Sequence, residues 1–165
     1  MFPLHVVHGE SVVSIAAAAT MVDQLVGLAE RKTPSYTLLP LRERELAQCQ
    51  AGRARALVDA SREYLHKTGA EGFAEAATGS LLSSETKIRM QLAGCFAAEA
   101  CAEAGRLVHA AAGASAIRTE LGFERLFRDL HTLSQHASKA LPRYGSAGRL
   151  MFGLENDWIF LSLLA

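Results

Sequence analysis

From Ser84 to Ala112 the chain contains no proline and shows no polar face. Ile88, Leu92, Cys95, Phe96, Ala100, Leu107 and Val108 alternate with Lys87, Arg89, Glu99, Glu103 and Arg106. A helix that is apolar around most of its circumference must be covered around most of it. This segment therefore predicts a buried helix that lies at a domain or subunit interface, because one small bundle does not easily cover it. Ser83 or Ser84 can cap its start, since a hydroxyl oxygen accepts from the free N–H groups of a first turn. Gly113 can close its end.

Two further long helices flank it in the pattern. From Glu10 to Arg31, Ile15, Ala18, Val22, Leu25 and Ala29 recur at steps of three and four and share one face. Thr33-Pro34-Ser35 ends that helix with turn chemistry. A second helix is predicted to begin near Pro40 or Leu41, where proline suits a first turn. Its stripe is Leu46, Ala47, Gln50, Ala54, Leu57, Val58, Ser61 and Leu65, and Gly69 supplies a stop. Residues 70–83 read as a connection with a short helix over 71–77. Patterning resumes at Phe123, with Leu126, Phe127 and Leu130 on the apolar side; it continues or breaks near Ser134 and then runs toward Leu141, where Pro142 and Gly145 end it. Leu150, Met151, Phe152, Trp158 and Phe160 in the tail need a surface to pack on.

The expected fold is all-α, an antiparallel up-down four-helix bundle. The chain divides into an extended lead-in over 1–8, a bundle over 9–153 and a tail over 154–165. Half of the 165 residues are hydrophobic, which suffices for one core without staples. Seventeen basic and 17 acidic residues cancel, so no basic footprint for nucleic acid is present. Arg42, Arg44, Arg53 and Arg55 cluster, with Glu43 and Glu45 interleaved, as on a solvated helix face. The uncharged run from Val12 to Val22 is short for a bilayer, and no membrane association is expected. Cys49, Cys95 and Cys101 are odd in number and lack metal or disulfide spacing. They read as reduced core thiols in a cytoplasmic protein.

Several chemical patterns are present only by chance. Glu63 and His66 match the Glu-x-x-His step of di-iron bundles, but such a site needs a second copy and two more glutamates. His5 and His8 lack a third metal ligand beyond Glu10. No phosphate loop or nucleophile elbow occurs.

The segment from Gly113 to His136 is more specific. Glu124-Arg125-Leu126-Phe127-Arg128-Asp129 opens a helix just after a glycine-containing turn, and His8-Gly9 precedes an alanine-rich helix upstream. From about Gly9 to Gly153 the chain resembles the C-terminal helical domain of the acyl-CoA dehydrogenase superfamily. The resemblance implies a flavin beside the Glu-Arg-x-x-Arg-Asp helix, with Arg125, Arg128, Asp129 and Ser134 facing it. Dehydrogenases of this family commonly carry a catalytic carboxylate shortly after Arg-Asp, and some place it on another helix. Here that stretch reads Ser134-Gln135-His136-Ala137-Ser138 and contains no carboxylate. A histidine at this spacing resembles the two-component flavin-dependent monooxygenases, in which a reductase supplies reduced flavin (FAD or FMN). The resemblance makes His136 the catalytic residue, and imidazole suits proton transfer near pH 7.

The same resemblance implies N-terminal and middle domains that this chain does not contain. The chain alone is then expected to be inactive and to retain no flavin. Its expected partners are a small-molecule substrate, a flavin reductase and further copies of itself in a dimer or tetramer. Two other readings stay open: the same domain of an acyl-CoA dehydrogenase, and a non-catalytic helical oligomerisation module.

Overall fold

The computed structural model describes residues 3–159 and 161, and the side chains of residues 3–8 lie outside that description. Among the described residues five α-helices follow in order: α1 (Pro3–Ala29), α2 (Glu45–Ala77), α3 (Ser84–Ala112), α4 (Phe123–Ser134) and α5 (Pro142–Met151). Two 3-10 segments, Gly113–Ile117 and Thr119–Leu121, join α3 to α4. Among the described residues there is no strand, so the all-α expectation holds.

Ion pairs and close contacts at the helix ends give the topology. Arg55 near the start of α2 pairs with Asp23 near the end of α1, so these two helices are antiparallel. Arg89 at the start of α3 pairs with Glu71 near the end of α2 at 2.8 Å. The Lys32 ammonium donates to the Ala112 carbonyl at 2.6 Å, which places the ends of α1 and α3 together. Gly122, at the start of α4, lies beside Gln24 of α1, while Glu10 meets the segment after α4. The bundle therefore runs up, down, up, down, with α5 laid across the first half of α3.

The interface expectation for α3 needs correcting. Helix α3 is the axis of the bundle and packs against α1, α2, α4 and α5 of its own chain. Coverage by one chain is possible because its buried residues are mostly small: Ala93, Ala97, Ala98, Ala100, Cys101, Ala104 and Gly105. A Cβ on Gly105 would sit 2.7 Å from Leu130 Cδ1, so glycine is what lets α4 approach this closely. Exposed apolar side chains lie elsewhere, among them Val12, Val13 and Val26 of α1, Tyr36 and Leu38 in the following loop, Phe73 of α2, and Leu141 and Phe152 on either side of α5. By length and mean hydropathy (1.7), Gly9–Ala29 could cross a membrane, which revises the short run expected above. In the bundle its other face packs Ile15, Ala18, Met21, Val22 and Leu25 into the core.

Other boundaries differ for local reasons. The lead-in is not extended: α1 begins at Pro3, since proline at a first turn withholds only an N–H that has no helical partner. Met1 and Phe2 lie outside the described residues. Gly69 does not stop α2, because Leu65, Thr68 and Gly72 around it are buried and hold the helix to Ala77. A Cβ on Gly72 would meet Met90 Sδ at 2.6 Å, so this glycine too serves close packing. The fourth helix takes the break read near Ser134 and ends there. Pro142 then opens α5 rather than ending a helix. In the tail, Leu150 and Trp158 pack with Leu82, Met90 and Leu161, whereas Met151 and Phe152 are exposed. Phe160 lies outside the described residues.

Candidate functional site

The turn from Gln135 to Leu141 links α4 to α5 and passes the start of α1. Its anchor is Gln91 on α3, whose side-chain amide donates to the Ser138 carbonyl at 2.7 Å and is buried there. Around this anchor, four side chains from two distant parts of the chain converge. Glu10 Oε2 lies 3.2 Å from His136 Nδ1 and 3.2 Å from Lys139 Nζ. The Ser138 hydroxyl donates to the same oxygen at 3.2 Å and lies 2.8 Å from His136 Nδ1.

Lys139 is the unusual member, because its side chain is fully buried and lysines are rarely so unless paired. Burial pushes its ammonium below the usual lysine range, and the Glu10 carboxylate opposes that shift. The neighbouring Cys95 thiol is pushed up, again by burial. The His136 side chain is 46 % exposed, with Nδ1 held against the cluster.

Adjacent to this turn lies a groove of about 570 Å³ between α3, α4 and α5. Phe127, Leu141 and Ala102 give it an apolar wall, and Glu99, His131, Ser134, Lys139 and Tyr144 add polar groups. Phe127 is packed between His109 and His131, with ring centroids at 4.7 and 6.5 Å. The Tyr144 hydroxyl donates to Glu99 Oε2 at 2.9 Å. Burial, reinforced by that carboxylate, pushes the phenol well above its usual range. A second cleft of about 490 Å³ is lined by Lys32, Arg44 and Arg118 beside the end of α3. Burial, with Arg118 nearby, lowers the Lys32 ammonium.

The residues picked out from the sequence are distributed as follows. Ser134 lines the first groove and donates to the His131 carbonyl at 2.7 Å. His136 sits behind that groove, on the Glu10 side of the turn. Arg125 pairs with Asp129 at 3.7 Å and Arg128 with Glu124 at 2.9 Å, each one helical turn apart on the exposed side of α4. The structure does not bring these two pairs to the groove. Glu63 and His66 are exposed on α2, and no metal-holding cluster occurs among the described residues.

Helices α1, α2, α4 and α5 thus surround an axial α3, with the His136 turn at one end. Residues 8–140 match the family described as acyl-CoA dehydrogenase, C-terminal domain. The chain belongs to that family. Over 143 residues this domain is 25 % identical to an indole-3-acetate monooxygenase of Pseudomonas putida, a match that spans 87 % of the domain and 37 % of the relative. Among solved structures, a 3-HSA hydroxylase from Rhodococcus sp. RHA1 superimposes on 96 % of the domain with a TM-score of 0.84 at 19 % identity. XiaF from Streptomyces sp., solved in complex with FADH2 and glycerol, superimposes on 94 % of it with a TM-score of 0.84 at 17 % identity. In both cases the domain covers 40 % of the solved chain.

Glu10, Ser138 and Lys139 were not singled out from the sequence as functional residues. Glu10 is 128 residues from Ser138, so no local spacing joins them. The one usable signal was Lys139 itself, a lone cation in the run Ala137-Ser138-Lys139-Ala140-Leu141.

Proposed function

We propose that this acyl-CoA dehydrogenase C-terminal domain is the cofactor-facing helical part of a flavin-dependent monooxygenase that acts on a small molecule. The observation that carries this reading is His136. An imidazole stands where the dehydrogenase pattern commonly has a carboxylate, and its Nδ1 is tied to Ser138 and Glu10. The names of the relatives, a monooxygenase and a hydroxylase, support the same reading.

The residues present suit a flavin. The first groove combines an apolar wall with a few convergent polar groups, as ligand sites do. The second cleft gathers three cations that can face a phosphate. Reduced FAD or FMN, when bound, supplies the electrons that activate oxygen. Ser134 offers a hydroxyl at the groove, and Arg125 and Arg128 offer guanidinium groups whose exposed pairs are weak enough to exchange for another anion. The part of His136 in this reading is to accept a proton from an acidic hydroxyl of the substrate.

In the intact enzyme, N-terminal and middle domains complete the site and a separate reductase supplies reduced flavin. The assembly is a homo-oligomer in the cytoplasm. Three unpaired cysteines agree with a reducing compartment.

One observation favours a second reading. Glu10 puts a carboxylate from α1 beside His136, and in some dehydrogenases the base comes from another helix. In that case the intact protein oxidises an acyl-CoA with Glu10 as base. The deciding experiment uses the full-length gene product. Under the monooxygenase reading, product formation needs reduced flavin and oxygen, and His136→Ala lowers kcat by about 10²–10⁴. Dye reduction by an acyl-CoA, abolished in Glu10→Gln, would instead establish the dehydrogenase.

A further inference from the structure

We infer that Glu10 is a positioning residue that holds His136 as its Nδ1–H tautomer, so that Nε2 is the nitrogen left to accept a proton. The catalytic meaning of this tautomer rests on the monooxygenase reading, but the tautomer itself does not.

The argument is one of donors and acceptors. A carboxylate only accepts hydrogen bonds. Glu10 Oε2 stands 3.2 Å from Nδ1, and a bare Nδ1 would turn its lone pair onto that oxygen. The Ser138 hydroxyl gives its proton to Glu10, so its oxygen is free to accept from Nδ1 at 2.8 Å. Both contacts are satisfied only if Nδ1 carries hydrogen. The opposing contact is the Ser138 backbone N–H, which approaches Nδ1 at 3.4 Å. That is beyond the usual range for such a bond and weaker than one to a charged acceptor.

Lys139 completes the device from beneath. Its buried ammonium pairs with Glu10 Oε2 at 3.2 Å, which fixes the carboxylate in place. Gln91 fixes the turn that carries Ser138 and Lys139. The other titratable groups near this cluster are Cys95 and Glu99 of α3 and Arg143 of α5. None of them bonds to His136, whose imidazole makes its hydrogen bonds and ion pair with Ser138 and Glu10. Among the described residues no hydrogen bond engages Nε2 of His136. The half-exposed ring therefore presents that nitrogen for proton transfer, in the way a buried carboxylate orients a histidine from behind.

The test is imidazole nitrogen spectroscopy on the 15N-labelled chain, with the His136 signals assigned by their loss in His136→Asn. The spectrum is recorded about two pH units above the ordinary imidazole value. Nδ1 is expected to be protonated and Nε2 to show the shift of a bare ring nitrogen. A dominant Nε2–H form in the wild-type chain overturns the inference, and this measurement needs no variant to fold. Glu10→Ala with Lys139→Met removes both charges together, which a buried pair tolerates better than loss of one partner. In that chain the ratio of Nδ1–H to Nε2–H should fall at least about tenfold, the equivalent of one hydrogen bond to a charged group. An unchanged ratio there also overturns it. Loss of the monooxygenase reading in the enzymatic assay would leave the tautomer result standing, so the two failures are separable.

Discussion

At the scale of single residues, burial decides chemistry that composition cannot. The three cysteines look alike in sequence, yet Cys95 and Cys101 lie in the core while Cys49 is exposed on α2. Burial pushes the Cys101 thiol up to about 11 and raises Cys95 as well. Thiolate is the reactive form, so both are inert near neutral pH. A thiol-exchange reagent at about pH 8 should modify only Cys49 in the folded chain and all three cysteines in denaturant. Rapid modification of Cys95 or Cys101 without denaturant would contradict the packing around them. The expectation of core thiols was thus legible for two of the three, since alanine-rich surroundings mark the middle of α3 but not the open first turns of α2. His136 was legible because a motif precedes it. Glu10 and Lys139 were not, because a charged pair made by distant segments leaves no periodic trace, and a lysine reads as solvent-facing until a structure buries it.

At the scale of helices, the positions of elements were readable, and so were both ends of α3 at Ser83 and Gly113 and the start of α4 at Phe123, whereas the start of α1 and the end of α2 were not. Periodicity reports a face, and a face persists past a glycine when neighbours cover it, as Gly72 and Met90 show at the α2–α3 contact. The turn that joins those helices is held by side chains. Ser83 Oγ accepts from the Thr86 N–H at 3.2 Å, and the Thr86 hydroxyl and Ser83 N–H both donate to the Glu75 carboxylate. Those two donors, Thr86 foremost, hold Glu75 below the usual carboxylate range. A carboxyl with a lower value folded than unfolded stabilises the fold at neutral pH. That contribution is complete above the unfolded value of about 4.3 and fades as pH falls through the folded one. Urea midpoints of the wild-type chain and Glu75→Gln should therefore differ at pH 7, with the variant weaker. They should converge as the solution is acidified below about pH 4. A gap that stays constant into acid would mean that the carboxylate charge plays no part in this turn. Removing the cap with Ser83→Ala should cost about 1 kcal/mol in the same titration.

At the scale of the molecule, the sequence showed that α3 must be covered but not by what. Small residues along its length let four helices of one chain do it, and the exposed apolar side chains are scattered over the other elements, from Val12 and Val13 of α1 to Phe73, Leu141 and Phe152. What remains open is the ligand side. Leu141, on the rim of the first groove, is 79 % exposed, so the groove offers a wall rather than an enclosure. The relatives it matches are more than twice as long, since the chain covers 37–40 % of them. Ligand sites of ordinary affinity bury 70–90 % of the ligand, roughly. A flavin laid against one wall keeps its other face in water and gains little over free solution. The chain purified alone should accordingly elute from gel filtration without visible flavin absorbance, even after incubation with excess FAD or FMN. A yellow preparation with one flavin per chain would mean that the α3–α4–α5 wall is a complete site. The monooxygenase reading, which assigns the opposite wall to other domains, would then have to be abandoned.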